Sequence, residues 1–176
     1  MDEAWVNDKK IVIVGNAKSI FDKSLGNTID SMDVIVRINH GVPSKTKHQG
    51  SRTDLLAYSC FLGKGELSSF NPTIGFLHLS PRIPKLMGSK NKKHFNYSQK
   101  AWDVLYQKLG SRPSSGMMAI DWFINILGSA ISICGFDFKK TPTFYTVNKD
   151  RMGPHAWDRE KEMVGKYILA QKIIML

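Results

Sequence analysis

Cysteine is scarce in this chain. Cys60 and Cys134 are the only two, they are far apart, and no Cys-x-x-Cys pair occurs. Each sits in an apolar stretch, LLAYSC and ISICGF, the setting of a buried free thiol. Neither a disulfide framework nor a thiolate metal site is expected, and a reducing compartment fits. Long apolar runs are missing too. Nothing approaches the roughly 18–20 continuous apolar residues of a membrane span. The opening MDEAWVNDKK is acidic before it is basic, unlike a secretory leader. The expectation is a soluble, cytoplasmic protein, at most peripheral at an anionic surface. Two nucleotide signatures are also absent. There is no GxxxxGK[ST], which excludes a Walker-type NTPase, and no GxGxxG, which excludes the dinucleotide fingerprint.

Acidic charge is the last shortage. Fifteen Asp and Glu face 25 Lys and Arg, for a net charge of +10 and a pI near 9.6. Such a surface attracts phosphate-bearing partners, whether nucleic acid, lipid headgroups or lipopolysaccharide. The charge is densest between Pro81 and Gln99, where Arg82, Lys85, Lys90, Lys92 and Lys93 stand among prolines. That segment reads as a basic loop insertion (81–99) that touches an anionic acceptor or partner.

What is present is a strand–helix alternation. With 176 residues, 42% of them apolar, the chain suits a single domain over 1–176. Apolar runs at Ile11–Gly15, Val34–Asn39, Asp54–Tyr58, Thr73–Leu79 and Ala130–Phe136 read as strands. Helical patterns lie at Ala17–Leu25, Ser98–Leu109, Ser115–Leu127 and Trp157–Lys172. The alternation implies an α/β fold with an open, mostly parallel sheet and flanking helices. Ligands then bind outside the carboxyl ends of the strands.

Four stretches carry chemistry. In IVIVGNAKSI, a strand runs through Gly15 and Asn16 into a helix start, a place for an anion. In IDSMDVIVRINHG, Asp30 and Asp33 precede a strand that ends in Arg37 and Asn39. Their equal parity puts Arg37 and Asn39 on one face. A buried Arg37 needs a carboxylate, with Asp30, Asp33 and Asp54 as candidates, and Asn39 is left to face a ligand. In RPSSGMMAIDWFINI, Ser114 or Ser115 caps a helix and Gly116 allows close approach of a ribose or phosphate. In GPHAWDRE, His155 opens the last helix and is a candidate general base.

In this order the four stretches resemble the eukaryotic sialyltransferases, glycosyltransferase family 29. The long motif of that family is similar to Gly15, Asn16, Ile29, Asp30, Asp33, Arg37, Asn39, Gly50, Arg52, Thr53 and Asp54. The short motif is similar to Pro113–Gly116 and the strand ending at Phe136, and the very short His-x4-Glu motif falls on His155 and Glu160.

The resemblance implies a Rossmann-like, GT-A-variant fold and an inverting, metal-independent transfer from a nucleotide-activated sugar, with no cofactor and no metal site. It makes Asn16 and Asn39 ligands of the donor phosphate and ribose. Ser114, Ser115 and Gly116 hold the nucleotide, and His155 deprotonates the acceptor. A CMP-sugar is the first donor expected and a UDP-sugar the second. Two acceptors fit the charge: a glycan or lipopolysaccharide, and a hydroxylated base in DNA. A non-catalytic nucleic-acid- or nucleotide-binding module is the alternative, but it leaves the motif register unexplained. Two features depart from the family. No cysteine stands in the first strand, and no histidine precedes Gly153 in TFYTVNKDRM, so Lys149, Arg151 and Tyr145 are the candidates for the donor phosphate.

Overall fold

A computed structural model describes residues 4–80, 92–146 and 153–176. Its centre is a seven-stranded sheet in the order β5-β4-β3-β2-β1-β6-β7. The strands are β1 (Ile11–Val14), β2 (Val34–Ile38), β3 (Leu55–Tyr58), β4 (Gly75–His78), β5 (Lys93–Asn96), β6 (Ile131–Cys134) and β7 (Ile173–Met175). Every pairing is parallel. The helices are α1 (Gly26–Asp30), α2 (Thr46–Gln49), α3 (Lys64–Phe70), α4 (Gln99–Leu109), α5 (Ser115–Asp121) and α6 (Trp157–Leu169).

The Val/Ile runs become strands because both faces are covered. Ile11 and Ile13 pack with Met117, Trp122 and Val164 of the α5–α6 side, whereas Val12 and Val14 pack with Ile20 and Ile29 on the other. Side chains alternate across a strand, so a run buried on both faces must be apolar at every position. The chain moves outward from β1 to β5, then returns to place β6 on the other side of β1. The carboxyl ends of β1 and β6 therefore flank the crevice where such sheets take ligands.

Several elements differ from the sequence pattern. The helix expected at Ala17–Leu25 is a 3-10 turn, Lys18–Asp22, because Ala17 stays extended and bridges to Thr143. Within the basic segment, Lys93–Asn96 is an edge strand rather than loop. KHFN carries no apolar run, because an edge strand needs no two-sided burial. The last helix stops at Leu169, and Ile173–Met175 forms β7. The helix expected at Ser115–Leu127 begins as α5 and passes into a π-helical turn at Trp122–Ile126.

Arg37 is also held differently. Its side chain is 1% exposed. It donates from Nε to the carbonyl of Arg52 at 2.9 Å and to the Thr53 hydroxyl at 3.2 Å, and from Nη2 to the carbonyl of Gln49 at 2.9 Å. Backbone carbonyls thus replace the carboxylate partner, with Asp30 and Asp54 acting only at longer range, and burial lowers the guanidinium pKa to about 10.

The three carboxylates instead tie backbone amides. Asp33 Oδ2 accepts from Lys10 N–H at 2.8 Å, and Asp30 accepts from the amides of Ser51 and Arg52. Asp54 accepts from Ile35 N–H at 2.9 Å, from the Thr73 hydroxyl at 2.6 Å and from Arg52 at 2.8 Å. Asp33 and Asp54 precede β2 and β3, so they brace the amino ends of the strands, opposite the ligand rim. Asp54→Ala leaves the buried Ile35 amide unsatisfied, strips the partly buried Thr73 and Arg52 bonds, and is expected to cost about 2–4 kcal/mol. A thermal melt checks it, with a fall of roughly 5–15 °C expected for a chain of this size.

Candidate functional site

A cleft of about 270 Å³ opens at the carboxyl ends of β1, β2 and β6. Gly15, Asn16, Asn39, Ser114, Ser115, Gly116, Tyr145 and His155 all line it. Every described residue assigned from the sequence to catalysis, nucleotide or donor phosphate is therefore in one place. Lys149 and Arg151 lie outside the described residues, as do Arg82, Lys85 and Lys90.

Glycines let two backbones meet at the floor. A Cβ on Gly15 would lie 2.4 Å from the carbonyl oxygen of Gly135, and Gly135 itself has φ +69°. A Cβ on Gly116 would lie 2.6 Å from the Phe136 ring, so the aromatic face fills the space a side chain would need.

The polar residues are cross-braced. Asn39 has φ +50°, just past the end of β2, and this left-handed turn ends the strand alternation. Its Nδ2 donates to Ser115 Oγ at 3.0 Å, and its Oδ1 accepts from Ser59 N–H at 2.8 Å. Asn39 thus reaches α5, whereas Arg37 reaches α2, and the expected common face is not kept. Ser59 and Ser115 hydroxyls lie 2.6 Å apart. Asn16 donates from Nδ2 to the carbonyl of Ile38 at 2.9 Å and is 3.4 Å from the Tyr145 hydroxyl. Asn39→Ala is expected to lower stability by about 1–3 kcal/mol, because it breaks two bonds and leaves a left-handed alanine. A melt separates that loss from weaker ligand affinity in the same variant.

Ser114 is the helix cap, accepting from Met117 N–H at 3.1 Å. Its hydroxyl donates to Glu160 Oε2 at 2.7 Å and its amide donates to Glu160 Oε1 at 2.7 Å. With its hydrogen spent on Glu160, Ser114 positions α5, and Ser115 is the hydroxyl nearer to use. Glu160 is 2% exposed, and burial raises its pKa against the lowering effect of the two Ser114 bonds.

His155 is half-buried, and its Nδ1 is 2.8 Å from the carbonyl of Arg112. A carbonyl only accepts, so Nδ1 carries the hydrogen and the neutral ring keeps its lone pair on Nε2. Burial lowers the His155 pKa below 6.5, and the charges of Arg112 and Lys139 act in the same direction, against the Arg112 carbonyl bond. Such an imidazole is unprotonated at neutral pH and ready to take a proton.

Sequence reasoning missed Lys139, which lines the cleft and donates to Thr143 Oγ1 at 3.0 Å. Its one signal is position, three residues past the Gly-Phe end of the last motif strand. It missed the Glu160–Ser114 bonds as well, since 46 positions separate the partners. Lys92 and Lys93 stand elsewhere. Lys93 opens β5, on the amino rim and four strands from β1, roughly 19 Å across the sheet. Among the described residues, no group of three or more His, Cys, Asp or Glu could hold a metal ion, and no helix is long and apolar enough to cross a membrane. Both cysteines are free.

Residues 6–61 match the model of glycosyltransferase family 29 (sialyltransferase). The whole chain is similar in fold to the crystal structure of a mammalian sialyltransferase in complex with Gal-beta-1-3GalNAc-ortho-nitrophenol. The TM-score is 0.73 at 17% identity, over 99% of this chain and 71% of that one. A crystal structure of a mammalian sialyltransferase gives a TM-score of 0.73 at 16% identity, over the same shares of the two chains. No curated protein matches the sequence significantly.

Proposed function

We propose that this chain, a sialyltransferase-like relative of glycosyltransferase family 29, transfers a sugar from a nucleotide-activated donor to an acceptor hydroxyl. The observation that carries the reading is the orientation of His155 in the cleft that also gathers Gly15, Asn16, Asn39, Ser115 and Gly116. An imidazole pinned through Nδ1 has one free task, which is to accept a proton at Nε2.

The chemistry follows as a single inverting displacement. The acceptor oxygen attacks the anomeric carbon while the bond to the donor phosphate breaks on the opposite face. His155 Nε2 takes the hydroxyl proton as the new bond forms. Charge collects on the departing phosphate, and the Lys139 ammonium and the Tyr145 hydroxyl are the described groups that meet it. We assign the nucleotide to the side of Ser115, Gly116 and Asn39, and the phosphate to the side of Asn16. The Rossmann-like, GT-A-variant description belongs to the same reading, supported by the reversal of strand order beside β1. No metal and no cofactor enter this mechanism. A CMP-sugar is the first donor and a UDP-sugar the second.

We favour a glycan acceptor over DNA. The mammalian sialyltransferase of similar fold is in complex with Gal-beta-1-3GalNAc-ortho-nitrophenol, and Lys92 and Lys93 stand at the rim away from the cleft. Nucleotide release from a panel of activated sugars, with and without glycan acceptors, tests the reading. Release that needs both donor and acceptor is expected. Release without acceptor marks a hydrolase of activated sugars, and binding without turnover marks a binding module.

A further inference from the structure

The carboxyl rim of the sheet carries a second constellation, one residue out from the cleft wall. His40 follows Asn39, Cys60 follows Ser59, and Glu66 lies in the first turn of α3. His40 Nδ1 is 2.5 Å from Glu66 Oε1, and His40 Nε2 is 3.4 Å from Cys60 Sγ. A carboxylate accepts, so Nδ1 carries the hydrogen and Nε2 offers its lone pair to the thiol. Glu66 is held in turn, since its Oε2 accepts from Gly63 N–H at 3.0 Å, and these two bonds lower its pKa. The Tyr145 ring packs edge-on against His40 at 5.7 Å. Thiol, imidazole and carboxylate stand in hydrogen-bonded sequence, the order in which a base oriented by a third group activates a nucleophile.

We propose that Cys60 is a reactive thiol, activated by His40 and Glu66, and that it is a modification site for low-molecular-weight disulfides. Cys60 sulfur attacks one sulfur of the disulfide. A new S–S bond forms as the old one breaks, and the Cys60 proton passes to His40 Nε2. His40 then gives that proton to the departing thiolate, so charge and redox state balance without another oxidant.

Magnitudes show why the imidazole matters. Burial, with the Glu66 charge second, pushes the Cys60 thiol up to about 11. At pH 7 about one such thiol in ten thousand is ionised, so without help Cys60 is slower than an ordinary exposed thiol. A base that takes the proton during attack removes the need for a standing thiolate. Cys134 is the internal contrast, 1% exposed and pushed up to about 12. Access favours Cys60, because it is half-buried and the adjoining Phe61 is 77% exposed. The titratable groups that face His40 among the described residues are Glu66, Cys60 and Tyr145. The site stands whether or not the neighbouring cleft takes a nucleotide.

The test uses the full chain and an aromatic disulfide that releases a coloured thiolate, with peptide masses to assign the modified cysteine. Cys60 is expected to react while Cys134 stays free, at a rate that levels off below about pH 9, where an unassisted thiol of this kind is still climbing. His40→Gln is expected to slow the reaction at pH 7 by roughly a hundredfold, with Glu66→Gln slowing it less. A rate that climbs with thiol ionisation through pH 9, or one unchanged by His40→Gln, overturns the proposal. So does equal modification of Cys134. If His40→Gln does not fold, the pH profile of the unaltered chain and the Glu66→Gln rate decide the matter.

Discussion

Replacing His155 by alanine is expected to cut sugar transfer by about 10²–10⁴-fold, the usual worth of a positioned general base, while nucleotide affinity stays close to that of the unaltered chain. The imidazole touches the protein through the Arg112 carbonyl and the Trp157 ring, so its loss leaves the floor of the cleft in place. His155→Gln is the control, because its amide can bond Arg112 but cannot take a proton. Steady-state turnover beside a direct nucleotide titration separates the two effects. Near-normal turnover in His155→Ala means that another group is the base.

The pH dependence of turnover follows from the same residue. The folded-state pKa of His155 lies below 6.5, chiefly through burial. A base works unprotonated, so activity is expected to hold as pH falls past 6.5 and to decline only below that. Stability carries the same sign. The unfolded chain takes up the proton more readily, so the contribution is full above the unfolded value and is lost as pH falls through the lower folded one. A transfer profile that declines already above pH 7 contradicts the assignment of His155 as the base.

Glu160→Ala is the second large effect. It strips both acceptors from Ser114, whose amide and hydroxyl each bond the carboxylate at 2.7 Å in a buried setting. Two unsatisfied buried donors cost about 2–5 kcal/mol together, or roughly 5–15 °C in the melt. The first turn of α5 also loses its anchor to α6, so nucleotide affinity should fall in any fraction that remains folded.

Glu160→Gln separates charge from geometry. The raised pKa means that ionised Glu160 is unfavourable in the folded chain, with that stability present below the unfolded pKa and lost as pH rises through the folded one. Glutamine removes the charge and keeps one acceptor, so a smaller loss than for alanine is expected. An unchanged melt for Glu160→Ala would remove the α5–α6 anchor from the account.

The sequence reports burial, and burial explains which elements could be read from it. β1, β2 and β3 are buried at every position, so their Val/Ile/Leu runs announce them. β5 and β7 are the sheet edges, with KHFN largely exposed and Ile174 at 63% exposure, so neither shows the run of a covered strand. The cleft was legible where a residue follows a strand directly, as with Gly15, Asn16 and Asn39. Contacts between distant segments were not. Arg37 takes backbone carbonyls, which no residue type advertises, and Glu160 meets Ser114 only because α6 returns across α5. The Cys60–His40–Glu66 line is drawn from three separate segments, so it has no spacing to read.

The central claim is that the cleft holds a nucleotide. The most direct measurement is a thermal-shift panel of CMP, UMP, GMP, AMP and their diphosphates, with inorganic phosphate and tripolyphosphate as charge controls, all in a chelator. At a hundredfold excess over Kd, a native-state ligand adds about 2.7 kcal/mol, or roughly 5–11 °C for a chain of this size. The expected result is a selective shift with CMP, with a smaller one for UMP. Shifts that follow the number of phosphates and ignore the base, matched by tripolyphosphate alone, would contradict a nucleotide site and leave only a basic surface.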